Sequence, residues 1–147
     1  MAEEKEFDRW NSKKQKLDEH QSGPHCHERE IWWCSIGVNV GSEQYSQTED
    51  FSRPVLVARR FTKDIFLGIP LTTKLRDGVP FRFRLRVGDV DNDALILQMR
   101  VYDRKRLVRP LAVVQKEVFK KLIEAIVCDL KTTDPALAGS SGAEANV

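Results

Sequence analysis

The sequence predicts a mostly β (α+β) protein, a small barrel or sandwich with one helix before it and one after it. Three observations carry this. Between Glu30 and Val101, short runs rich in β-branched and aromatic residues recur, separated by close turns. Residues 115–130 then switch to a helical period. The polar opening places Phe7, Trp10 and Leu17 at helical spacing.

Taken in order, residues 2–20 form a helix with a narrow apolar stripe, which docks on the core of the chain or on a partner. "QSGPHCHE", residues 21–28, is a linker, because Gly23 and Pro24 break a helix. "EIWWCSI" is a strand and "GVNVGSEQYSQTEDFS" a long polar loop. "RPVLVARRF" and "DIFLGIPL" are two apolar strands joined near Thr62 and Lys63. "PFRFRLRV" alternates strictly, and "ALILQMRV" reads as one more apolar strand. Pro54 suits the first residue of its strand or a sheet edge. In the last helix Val118, Phe119, Leu122, Ile123, Ile126 and Val127 share a face. The expected division is 1–28 for helix and linker, 29–130 for the barrel, and 131–147 for a small, polar, disordered tail.

A chain of 147 residues with 41% hydrophobic and 31% charged residues fits a single globular domain. The acidic opening has no apolar signal-peptide core, and no run approaches the ~18 apolar residues of a membrane span. Cys26, Cys34 and Cys128 form an odd set without CxxC spacing, which favours a reducing cytosol. Cytoplasmic localisation is expected.

The net charge of +2 conceals segregation. Residues 1–52 carry 6 Lys/Arg against 11 Asp/Glu, residues 53–109 carry 14 against 6, and residues 110–147 carry 4 against 5. A middle segment this basic points to a polyanionic partner, unless folding interleaves its charges with acidic ones. On "FRFRLRV", Phe81, Phe83, Leu85 and Val87 face one way and Arg82, Arg84 and Arg86 the other. That pattern is a solvated strand face or a phosphate-binding one, since arginine grips phosphate bidentately. Arg104, Lys105, Arg106 and Arg109 add to it.

Other chemistries fit poorly. His25, Cys26, His27 and Cys34 match no structural zinc spacing, and no metal or other cofactor is expected. "DVDND" lacks the Gly and Glu of a calcium loop, having Ala94 and Arg100 there, and is left as a turn. All three histidines precede the barrel region, and P-loop, GxGxxG and GxSxG motifs are absent. An enzyme built from residues 30–113 must rely on arginine, hydroxyls and a carboxylate. Such a set suits charge stabilisation at phosphorus. Arg53, set against Pro54 at the mouth of the run Val55–Ala58, is either a strand-end charge facing water or a cation awaiting an anion.

Four segments in order, "EIWWCSIGVNVGSEQ", "SRPVLV", "IPLTTK" and "LILQMRVYDRKRL", with the amphipathic helix after them, resemble the MazF/PemK family of toxin endoribonucleases. The resemblance covers about residues 29–127. It implies a small SH3-like or CcdB-like barrel that forms a homodimer, cleaves single-stranded RNA without metal, and is neutralised by a cognate antitoxin. It assigns catalysis to Arg53 and Thr72, and maps Glu43 to the site either as proton acceptor or, more simply, as an ion-pair partner orienting Arg53. RNA contacts are implied at Ser42, Gln44, Thr73, Lys74, Gln98 and Arg100, with Arg82, Arg84 and Arg86 adding cations. Two other readings stay open: a barrel that binds RNA or antitoxin without cleaving, and a CcdB-like gyrase poison. Two departures from the pattern stand out. The loop "YSQTEDFS" before Arg53 is longer than the family's, and Leu97 stands where one branch carries an acid.

Overall fold

The computed structural model describes residues 4–46 and 48–131. Seven strands and two helices follow one another: α1 (Phe7–Glu19), β1 (Glu30–Ser35), β2 (Ser52–Arg60), β3 (Ile65–Thr72), β4 (Arg82–Val87), β5 (Val90–Leu95), β6 (Arg100–Asp103), β7 (Leu107–Val113) and α2 (Lys116–Lys131). All pairings are antiparallel, in the order β4-β5-β3-β2-β1-β7, with β6 also beside β3. The result is a curled, mostly β half-barrel with two helices. The tail expected to be disordered lies outside the described residues from 132 onward. Among the described residues no helix is long and apolar enough to cross a membrane.

The run Val55–Ala58 is buried on both sides, which is why it is uninterrupted by polar residues. Leu56 and Ala58 join Ile31, Ile69, Leu71 and Leu85 in a core closed by Leu122 and Ile126 of α2. Val55 and Val57 face the opposite way, onto Phe66, Tyr102, Cys34 and Trp32. Gly68 is required between these layers, because a Cβ there would collide with Val55 and Tyr102. Val127, expected on the buried face of α2, is 43% exposed. Cys26 and Cys34 are buried and Cys128 is exposed, and none forms a disulfide.

A third, smaller cluster seats α1. Trp10 packs with Val38 and Phe51, and Leu17 lies against them. Phe7, at the first helical residue, remains half exposed. The Arg106 guanidinium lies 5.6 Å from the Trp10 ring and 6.0 Å from that of Tyr102, and its Nη1 donates to the Ser35 carbonyl. The linker is fastened too. Buried Arg104 donates from Nε to Asp64 at 3.0 Å, and its Nη1 meets His25 Nδ1 at 3.1 Å.

Three expectations need correction. "ALILQMRV" is not one strand: β5 ends at Leu95, a 3-10 turn spans Ile96–Gln98, and β6 begins at Arg100. The turn buries Ile96 and exposes Leu97, so the apolar run marks a corner. Residues Val90–Asp93, left as a turn, belong to β5. β7 was hidden because only Leu107 in it is buried, while Arg109 and Pro110 obscure any alternation. Pro54 is the third residue of β2 and not its first, but it stands at a local sheet edge. It pairs with Trp33, but the β2–β3 register starts only at Val55↔Pro70, so locally the strand has one neighbour.

Candidate active site

The site begins where β2 and β3 part. Their pairing ends at Val55↔Pro70, and beyond it β3 turns to pair Leu71 and Thr72 with Ala94 and Asp93 of β5. Arg53 and Thr72 therefore stand on opposite lips of an opening. Both line one groove of about 250 Å³, together with Trp33, Pro54, Thr73 and Lys74.

Arg53 is held by carbonyls. Its Nε donates to Tyr45 O at 2.9 Å and its Nη1 reaches Leu71 O at 3.5 Å. With its oxygen turned inward, the Gln44 carboxamide also accepts from Nη1 and Nη2 at 2.7 and 2.9 Å. No carboxylate among the described residues forms an ion pair with this guanidinium. Burial pushes the pKa of Arg53 below its ordinary value, yet an arginine remains charged at neutral pH. A half-buried cation bonded only to neutral acceptors keeps its positive charge available to an anion. Thr72 Oγ1 accepts from the Lys74 amide at 3.1 Å, leaving its own proton free for a ligand in the groove.

Glu43 is placed elsewhere, which corrects its expected pairing with Arg53. Its Oε2 accepts from the Val40 amide at 3.0 Å, reaching back three residues in a local turn at the loop's exposed end. Gln98 clips the same loop. Its Oε1 accepts from the Gln44 amide at 2.9 Å, and its Nε2 donates to Ser42 O at 3.1 Å. Glu43, Gln44, Gln98 and Arg100 border a second, polar hollow of about 410 Å³, and Gln44 is the residue joining it to Arg53. Ser42 lies exposed beside the clip.

The arginine row on β4 is not a bare cationic face. Asp93, 1% exposed, sits between two of its members. Arg84 Nε donates to Asp93 Oδ1 at 2.8 Å and Arg82 Nη1 to Oδ2 at 2.9 Å, while Arg84 Nη1 also binds Asp77 at 2.8 Å. Hydrogen bonding from Arg84 drives the Asp93 carboxyl down to about 2 against the opposing effect of burial, with the Arg76 amide and Arg82 assisting. Arg82 further donates to Lys74 O at 3.0 Å. These two arginines brace the segment carrying Thr73 and Lys74. Arg86 alone points away, with one long contact to the Asp89 carbonyl.

The long loop before Arg53 forms a groove wall. Ser46 Oγ donates to Ser52 O at 2.7 Å, and Ser52 Oγ donates to Asp50 Oδ1 at 2.6 Å. Burial alone would raise the Asp50 carboxyl, but hydrogen bonds from Ser52 and Thr48 hold it below the usual range. Its charge is thus directed into the loop, not across the groove. Sequence reasoning missed Ser46, Thr48, Ser52 and Asn92 as lining residues, since the hydroxyls at the loop and strand start carry no pattern and Asn92 reaches the groove only through the pairing of β5 with β3. Trp33 borders the groove, stacks under Arg109 at 5.4 Å, and buries an Nε1 with no hydrogen-bond partner among the described residues.

Residues 27–128 match the model of the PemK-like, MazF-like toxins of type II toxin-antitoxin systems. The chain belongs to the PemK/MazF toxin family. Solved MazF structures share its fold. MazF from Deinococcus radiodurans is similar at 22% identity with a TM-score of 0.58, over 74% of this chain and 99% of that one. A MazE–MazF structure from the same organism gives 19% identity and 0.55, over 75% and 99%. An endoribonuclease from a mycobacterial species gives 15% and 0.56, over 77% and 98%. Comparison with curated proteins returned no match. The match to the PemK/MazF toxins includes the whole groove but not α1, which ends at Glu19.

Proposed function

We propose that the chain is the toxin of a type II toxin-antitoxin pair and an endoribonuclease that cuts single-stranded RNA without a metal requirement. The observation carrying this reading is the shared groove of Arg53 and Thr72, in which the guanidinium has neutral partners only. RNA lies along the groove with one phosphate at Arg53. Its 2′-oxygen attacks the adjacent phosphorus, the bond from phosphorus to the 5′-oxygen breaks, and the proton lost at 2′ is balanced by one gained at the leaving oxygen. The products are a 2′,3′-cyclic phosphate and a 5′-hydroxyl.

Charge gathers on the non-bridging oxygens in the transition state. A fixed cationic donor in a partly dehydrated groove stabilises it without reorganising, an effect worth about 100- to 1,000-fold per donor. Thr72 donates to a phosphate oxygen or the attacking hydroxyl. Thr73 and Lys74 extend the contact to neighbouring phosphates, and the hollow bordered by Gln44, Gln98 and Arg100 takes an adjoining nucleotide. The antitoxin acts by covering this groove, and the toxin works in the cytoplasm as a homodimer.

The test is incubation of the purified protein with defined single-stranded RNA in excess EDTA, followed by mapping of the product ends. Cyclic phosphate termini lost on Arg53→Ala are expected. RNA retained without cleavage would favour a binding barrel instead.

A further inference from the structure

The loop that supplies Tyr45 O and Gln44 to Arg53 is gripped from its far side by the N-terminal helix and by Lys5, two residues before it. Lys5 Nζ donates to Asn39 O at 2.7 Å and Gly41 O at 3.2 Å, and lies 4.7 Å over the Tyr45 ring. Arg9 Nη2 donates to Glu49 O at 2.6 Å, with its guanidinium 4.9 Å from the Phe51 ring. Trp10 packs on Phe51 with centroids 5.5 Å apart and covers Gly37. Gly37 in turn bonds the loop's two ends together, receiving Ser46 N on its carbonyl and giving its own amide to Phe51 O.

A polar loop of this length with no strand or helix of its own is mobile unless tied down. Gln98 supplies one tie from within the toxin-family match, and Lys5, Arg9 and Trp10 supply further ones from a segment that the match does not include. From this we infer that α1, with Lys5 just before it, is a positioning clamp for the active site: Lys5, Arg9 and Trp10 fix loop residues 37–46 and 48–51, and through Tyr45 and Gln44 the loop fixes the direction of Arg53. The inference rests on the proposed role of Arg53 for its catalytic consequence, but its geometry stands independently. Where the guanidinium swings, a donor must be reordered in each turnover, and a displacement of about 1 Å costs roughly 100-fold.

Two readouts test the clamp. The first is nitrogen-15 NMR of the Arg53 Nε–H, identified by its disappearance in Arg53→Lys. Its hydrogen exchange should quicken at least tenfold in Trp10→Ala and in the double variant Lys5→Ala/Arg9→Ala, while amides of Leu56 and Ile69 stay protected. Unchanged Nε–H exchange in the double variant, which alters exposed or half-exposed side chains only, overturns the clamp. The second readout is RNA cleavage. In both variants kcat should fall at least tenfold with KM within twofold, Trp10→Phe should restore most of it, and no further loss should appear on an Arg53→Ala background. An equal loss on that background overturns the route through Arg53. A wild-type protein that cuts no RNA defeats the proposed function, and the exchange measurement still decides the clamp.

Discussion

Trp10 lies directly against Gly37, so closely that a single methyl group at residue 37 would overlap the indole. Gly37 also adopts a φ of +81°, in the region that side chains disfavour. Gly37→Ala should therefore lift α1 from the loop and cost about 1–3 kcal/mol, read by urea denaturation followed through tryptophan fluorescence. A stability equal to wild type would mean that the helix is not seated on this turn.

Arg53 combines charge with a fixed, planar set of donors. Arg53→Ala should lower the cleavage rate about 100- to 1,000-fold. Arg53→Lys should recover little, because an ammonium cannot reach Tyr45 O and Leu71 O while presenting a fork to phosphate. Single-turnover kinetics on a defined oligonucleotide measures both.

Asp93 is depressed from 3.8 to about 2 by Arg84 and its neighbours. A carboxyl lowered on folding adds stability that is complete above its unfolded value, near pH 4, and is lost as pH falls through about 2. Unfolding free energy should drop across that window in the wild type and change less in Asp93→Asn. At pH 7 the variant should be less stable by about 1–3 kcal/mol, since two arginines lose their shared acceptor. Urea titrations at pH 2, 3, 4 and 7 check both statements.

Salt dependence of RNA binding should follow the free cations, not the full count. Lys74 lines the groove and is exposed, so Lys74→Gln should reduce the slope of log K against log salt by about 0.7. Arg84 is already compensated by Asp93 and Asp77, so Arg84→Gln should alter the slope much less. Filter binding of a non-cleavable RNA analogue from 50 to 300 mM salt, about the range over which such slopes resolve, separates the two.

Much of this architecture is written locally in the chain. The period of two along Arg82–Val87, the doubly buried run Val55–Ala58 and the helical period after residue 115 each follow from a repeating pattern, and each produced an element close to its expected bounds. The corner at Ile96–Gln98 and the edge strand β7 broke no visible pattern, because what defines them is contact with distant strands. The site divides in the same way. Arg53 stands out by its place before Pro54, Thr72 is marked only by the resemblance of its segment to the family, and the structure puts both on one groove. The pairing of Asp93 with Arg82 and Arg84 depends on strand register, which no short motif announces. Glu43 was placed at the site by the resemblance of its segment alone, whereas its carboxylate closes a local turn on the Val40 amide.

The two cysteines sealed inside the half-barrel give the protein a built-in stopwatch. Burial pushes the Cys34 thiol up to about 12 and that of Cys26 upward as well, so neither supplies a thiolate to an alkylating reagent while the sheet stays shut. The thiol on α2 is exposed. A later mass increment on Cys34 therefore records a moment when the strands came apart, and one on Cys26 a moment when the linker lifted.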